Sequence, residues 1–332
     1  MDKISRKAKG TQLSYNTVLN NWEIFSEEKF QQKDIIPELN LVEEETLWDT
    51  LQSWINWNSE QENMPQTIRN WFSLLKKYLY HRGIKLTKED VSENLDFPLK
   101  IQETHYPMSL EESQSIIATA PFKKKIMYLC MISSGMRIGE ICQIKKKHLD
   151  LDKSRIQVNI PSSIAKYNRK RTTFFSKEVT PLLKRHLRKL SDEDMIFGTH
   201  ENPKYAEVNE MQQLKRLLNK IGLYEKQENG HGKITSHSFR AYFITKVSRF
   251  DNDLAHFLAG HTKGVYLPQY DRLTDDEKLE LYLKIEEKLL IDDSVITKAE
   301  LEKTQTELSD LEKVKEDNAK IMAWIARQEN KK

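Results

Sequence analysis

Late in this sequence an Arg, two His and two Tyr recur at short spacings. HSFRAYFITK opens at His237 and sets Arg240 three residues on; AGHTKGVYLPQY follows, carrying His261 and Tyr266 and ending at Tyr270. Upstream stand Arg137 in SSGMRIGE and Lys166 in AKYNRKR. Guanidinium forks match phosphate oxygens in pairs. A phosphodiester under in-line attack gathers charge on its non-bridging oxygens, where one fixed cationic donor is worth roughly 3–4 kcal/mol. Two Arg with one or two His can therefore stand in for the metal ions that other phosphodiester-cleaving sites use. A Tyr supplies a nucleophile, provided a cationic setting and a proton acceptor activate a phenol whose ordinary pKa is about 10. Attack leaves a phosphotyrosine and a free hydroxyl, and the covalent link conserves the bond energy, so rejoining needs no ATP. Lys166 is the candidate general acid for the leaving oxygen. A metal fits poorly, because His256 and His261 are five apart rather than four and no acidic or Cys ligands gather near them. The expected chemistry has no metal and no cofactor.

Each residue also has a plain structural use. Arg137 can cap the helix break after Gly135, His237 and Arg240 can make surface hydrogen bonds, and His261 can be a buried, satisfied imidazole. Gly264 and Pro268 mark the segment before Tyr270 as a loop, so Tyr266 or Tyr270 can be the exposed phenol.

The elements that must position these side chains follow from periodicity. Residues 1–100 read as helices: Val18, Leu19, Trp22 and Phe25, then Leu51, Trp54 and Ile55, then Ile68, Trp71, Phe72, Leu75 and Leu79 recur at helical spacing. These aromatics are expected in a core rather than stacked on bases. Pro98 and Pro107 bracket a stretch without steady period, which predicts an extended linker over 101–107. Ser109 and Glu112 form a capping-box pattern that opens a second domain over 108–292. In that domain RIQVNI alternates, RTTFFS is a second β-like run, and Lys166 lies on the polar turn between them. Val208, Met211, Leu214, Leu218 and Ile221 predict a helix, and Phe239–Leu258 predicts another, broken near Asp251-Asn252. Residues 293–332 are polar and free of Gly and Pro, with Leu301, Leu308 and Met322 at one heptad position, as in a long helix or short coiled coil. The fold class expected is mainly α with a small β-sheet (α+β).

The chain has 332 residues and a net charge of +3. That average hides 18 Lys+Arg against 4 Asp+Glu between Pro121 and Leu190, and 10 against 17 between Asp271 and Asn330. The basic clusters Lys145-Lys146-Lys147 and Arg169-Lys170-Arg171 are candidate nucleic-acid contacts. No apolar run reaches the ~18 residues a spanning helix needs, and MDKISRKAKG lacks the apolar stretch of a secretion signal. Cys130 and Cys142 are too few for a disulfide framework or a cysteine zinc site. The expectation is a cytoplasmic, nucleoid-associated protein.

The ordered set resembles the tyrosine recombinases, the phage-integrase family. SSGMRIGE resembles that family's Gly-Leu-Arg-x-x-Glu box, AKYNRKR its β-hairpin lysine box, HSFR its His-x-x-Arg box, and AGH with Tyr270 its Gly-His and nucleophile pair. The likeness covers roughly residues 108–290 and, more loosely, the helical N-terminal part, which resembles the family's core-binding module. The stretch after Tyr270 is similar to the tail of archaeal integrase-like members. Met136, Ala259 and Ala241 depart from the family's usual residues without removing a charge. The resemblance implies that Arg137 and Arg240 grip the scissile phosphate, Lys166 serves the leaving group, His237 and His261 assist, Glu140 orients its neighbours and Tyr270 attacks. It further implies a site-specific recombinase that clamps double-stranded DNA between its two domains and works as a homo-tetramer on paired sites. A type IB topoisomerase-like nicking-closing enzyme and a catalytically silent architectural DNA-binding protein are the alternatives.

Overall fold

The computed structural model describes residues 9–100, 106–198, 200, 202–228, 230–261, 270, 272–297 and 313–315. The chain divides into two compact units, Met1–Thr104 and His105–Lys332. Most of the expected linker and most of the expected C-terminal helix fall outside the described residues; residues 293–297 and 313–315 are helical.

Helices α1 (Lys9–Phe30), α2 (Ile36–Leu39), α3 (Glu44–Glu60), α4 (Pro65–His81) and α5 (Lys88–Asn94) build the first unit. Pro65 opens α4 where a missing N–H costs nothing. Ile68, Phe72, Leu75 and Leu79 then share one buried stripe, against which Val18, Trp22 and Phe25 of α1 and Leu51, Trp54 and Ile55 of α3 close a single core. The aromatic rings are core residues, as their spacing implies: Trp22 and Trp54 lie 6.1 Å apart, and the Trp54 indole donates to Asn21.

The second unit begins with α6 (Leu110–Thr119), whose Ser109–Glu112 capping box forms as expected. Helix α7 (Phe122–Ser134) is buried along most of its length. It stops at Gly135, where φ is +64° and an added Cβ would fall 2.4 Å from Phe243. Only glycine fits there without strain. The short helix α8 (Ile138–Ile141) follows at once.

Strands β1 (Leu149–Asp150), β2 (Gln157–Ile160) and β3 (Arg171–Phe174) form an antiparallel sheet in sequence order. Ile156, Val158 and Ile160 are buried, as their alternation requires, and Ile160 pairs with Arg171. Helices α9 (Val179–Leu187), α10 (Pro203–Lys220), α11 (Ser236–Ser248), α12 (Asn252–Ala259) and α13 (Asp275–Ile285) complete the unit. Asp251 caps α12 through Oδ1, which makes the break expected near Asp251-Asn252.

Helix α10 keeps Leu214, Leu218 and Ile221 of its expected stripe against the core and departs from it at its start. Val208 and Met211 are exposed, while Ala206, Glu210, Leu214, Leu217 and Leu218 point inward. The inward carboxylate of Glu210 is held by Lys124 of α7, an ion pair that apolar periodicity cannot register. Both residues are buried, and Glu210 Oε1 has no partner among the described residues. Removing one member of such a pair strands the other's charge. Glu210→Ala is expected to cost roughly 3–5 kcal/mol in thermal unfolding. The double replacement Lys124→Met/Glu210→Met is expected to recover most of that loss.

Candidate active site

The α7–α8 corner and the end of α12 create the site. Arg137 is the N-cap of α8, and its backbone N–H donates to Glu140 Oε2 at 2.9 Å. Its guanidinium donates through Nη1 to Glu140 Oε1 at 3.1 Å and through Nη2 to the Gly260 carbonyl at 3.2 Å. The capping use of Arg137 is thus real, but it engages the backbone and one edge of the fork.

Arg240 comes from the first half of α11 and is 1% exposed. Its Nη1 donates to the carbonyls of Gly135 and Ala259. Nε and Nη2, which make one edge of the guanidinium, are buried without a partner among the described residues. Leaving buried charged donors unmet costs more than the ~1–3 kcal/mol of a neutral one. Burial, with Arg137 and Arg171 nearby, pulls Arg240 down to about 9, which still leaves it charged at neutral pH.

His261 follows the left-handed Gly260 that ends α12. Its Nδ1 lies 2.6 Å from Nδ1 of His256, so one ring donates to the other, and its backbone N–H donates to the His256 carbonyl at 3.0 Å. Burial first, then the fields of Arg240, His256, Arg137 and His237, push His261 down to about 4. It is a neutral imidazole at physiological pH. His237 is exposed on the first turn of α11, and its charge is felt at His261.

Arg137, Glu140, Arg240, His261 and His237 therefore share one locality. Lys166 stands exposed in the 161–170 connection between β2 and β3, on a 3-10 turn, the hairpin position expected of it. Tyr270 makes its contacts with other residues. It is 8% exposed, stacks on Phe257 at 5.5 Å, and donates its phenol proton to Asp251 Oδ2 at 2.6 Å. Burial and that carboxylate raise its pKa well above the ordinary phenol value. Tyr266 lies outside the described residues.

The basic clusters divide. Glu193 pairs with Lys145 at 3.0 Å and with Lys147 at 2.7 Å, and Lys146 donates to the Leu190 carbonyl. Such exposed pairs are screened by solvent and bind weakly. Lys170 is exposed and Arg169 half-buried, but Arg171 turns inward. Its fork meets both oxygens of Glu140 at 2.9 and 2.6 Å, and its Nε donates to the Leu258 carbonyl at 3.1 Å. Spacing alone does not single out Arg171, Asp251 or His256. Among the described residues no group of three or more His, Cys, Asp or Glu is disposed to hold a metal ion, and no helix is long and apolar enough to cross a membrane.

The phage integrase family model matches residues 101–277. The chain belongs to the phage integrase family. It is a tyrosine recombinase, and its mainly helical fold with a small antiparallel sheet is shared with solved members. The Tn1549 transposon integrase, solved with transposon right end DNA, superposes with a TM-score of 0.58 at 16% identity, covering 84% of this chain and 94% of that one. The lambda integrase dimer bound to a COC′ core site gives 0.56 at 13% identity over 81% and 74%. The XerH recombinase bound to difH gives 0.51 at 18% identity over 82% and 78%. No curated protein matches the chain in sequence.

The neutral His261 has a measurable signature in this family member. Its folded pKa lies below the unfolded value, so the unfolded chain binds the extra proton between about 6.5 and about 4. Stability from this group is complete above that window and is lost as pH falls through it. The melting temperature of His261→Gln is expected to fall less steeply than wild type between pH 6.5 and 4.

Proposed function

We propose that this tyrosine recombinase binds duplex DNA and holds one scissile phosphodiester on the unpaired edge of Arg240, beside Arg137 and His261, once that buried edge is uncovered. The observation that carries this reading is the pair of buried donors Nε and Nη2, unmet among the described residues. They have the spacing of two oxygens of one phosphate, and a charge-assisted pair there would satisfy both. An anion would also relieve the crowding among Arg137, Arg171 and Arg240 that burial makes costly.

Tyr270 Oη attacks phosphorus, and the bond from phosphorus to the 5′ oxygen breaks. The phenol proton passes to His261, whose ring is neutral at physiological pH and so has a lone pair to receive it as the phosphorus–oxygen bond forms. The 5′ oxygen leaves with a proton from Lys166, and a 3′-phosphotyrosine remains. Attack by an incoming 5′-hydroxyl reverses each transfer and rejoins the strand. Arg137 and Arg240 carry the charge that builds on the non-bridging oxygens, while His237 donates to the same phosphate. The cations Lys145, Lys146, Lys147, Arg169 and Lys170 face the DNA backbone. Work on paired sites as a tetramer follows from the family resemblance.

The seat of Tyr270 on Asp251 is a resting position. A phenol beside a carboxylate is held away from the cationic setting that would activate it.

Incubation of the purified chain with a pool of randomised, nicked 60-base-pair duplexes tests the reading. Denaturing gels are expected to show a covalent protein–DNA adduct, with the DNA on a peptide containing Tyr270. No adduct, or an adduct on Tyr266, overturns it. Arg240→Ala is expected to slow adduct formation by roughly 10²–10³-fold, and Tyr270→Phe to abolish it. Asp251→Asn keeps the cap made by Oδ1 but removes the carboxylate oxygen that Tyr270 meets. It is expected to speed single-turnover adduct formation by about tenfold, the low end of a hydrogen bond to a charged group. A slower Asp251→Asn would rule out the resting seat.

A further inference from the structure

We infer that Arg171 is a positioning residue of the catalytic cluster: by taking up the Glu140 carboxylate it keeps the Arg137 charge available for the phosphate. This rests on the phosphodiester reading of the cluster.

Three observations carry it. Arg171 is a buried side chain, 6% exposed, on the first residue of β3. All three of its nitrogens donate inward, two to Glu140 and one to the Leu258 carbonyl, so its basic neighbours face DNA on different terms. The turn that supplies His261 also packs flush against it. A Cβ on Gly260 would lie 2.7 Å from the Arg171 side chain, and the Gly260 carbonyl is the one that accepts from Arg137.

The charges show what this achieves. Arg137, Arg171 and Arg240 each bring one positive charge and Glu140 one negative, which leaves two in excess for a phosphate. Glu140 is 2% exposed and must be paired. Without Arg171 the carboxylate is left to Arg137, whose Nη1 and backbone N–H already touch it. Their natural arrangement is then a closed, two-bond pair, neutral and turned from the phosphate. Meanwhile the Leu258–His261 turn loses a lateral support.

The test compares wild type with Arg171→Ala, Arg171→Lys, Glu140→Gln and Arg171→Ala/Glu140→Gln. The probes are the nicked duplex pool for chemistry and a mixed-sequence 30-base-pair duplex for affinity. Arg171→Ala is expected to slow adduct formation at saturating DNA about a hundredfold, the scale of a displacement near 1 Å at the reacting atoms. Its affinity and salt dependence should match wild type. Arg171→Lys should recover little, because an ammonium has no fork. The double variant should react faster than Arg171→Ala, since no buried carboxylate remains to capture Arg137. Two results overturn the inference. One is a salt slope reduced by about one with an unchanged saturating rate, which marks a direct phosphate contact. The other is a double variant no faster than Arg171→Ala. If Arg171→Ala does not fold, Arg171→Lys and the double variant give the same decision. A wild type that forms no adduct overturns the phosphodiester reading alone. The melting temperatures of wild type, Arg171→Lys, Glu140→Gln and Arg171→Lys/Glu140→Gln then still decide the coupling, and additive shifts would overturn it.

Discussion

The second unit is organised around one buried carboxylate. Glu140 accepts from the backbone and side chain of Arg137 and from both ends of the Arg171 fork. Burial alone would raise its pKa, yet these donors bring it below the ordinary carboxylate value. A charge so enclosed tolerates little rearrangement, because losing any donor exposes the remainder to a low-dielectric interior. Through it the α7–α8 corner, strand β3 and the turn after α12 are fixed to one another. The phosphate site proposed above lies where these three elements meet.

The arginines are held by complementary means. Arg137 is anchored by Glu140 and the Gly260 carbonyl, and Arg240 by the carbonyls of Gly135 and Ala259. Both Gly135 and Gly260 adopt positive φ, which aims their carbonyls into the site while neighbouring side chains press against their Cα atoms. The proposed nucleophile, Tyr270, is stacked on Phe257 and bound to Asp251. In the proposed reading, grip and attack are then separate, since the arginines are anchored while the phenol is bound to a carboxylate.

Much of this was legible in the sequence. The stripes of α1, α3 and α4, the Ser109–Glu112 cap and the alternation of Ile156, Val158 and Ile160 each report a local rule that tertiary packing did not overrule. Grouping Arg137, Glu140, Arg240 and His261 came from residue chemistry together with a family resemblance, since each box by itself has structural uses. Arg171 was hidden because three adjacent basic residues look alike in a sequence. What separates them is register: Arg171 pairs with the buried Ile160, so it shares the inward face, and an inward guanidinium needs a carboxylate. The inward face at the start of α10 was hidden for the same kind of reason, because Glu210 occupies a core position only by virtue of Lys124. The seat of Tyr270 depends on contacts between α12 and residues beyond it, which no local pattern encodes.

The carbonyl anchors of Arg240 limit what inheritance can change. Every residue type carries a main-chain oxygen, so exchange of the side chain at position 259 leaves the acceptor for Nη1 in place as long as the turn keeps its path. Genetic drift can thus alter the lining of this corner while the guanidinium stays aimed. Only a change in backbone trajectory, as a non-glycine residue at 135 or 260 would force, reaches the grip itself.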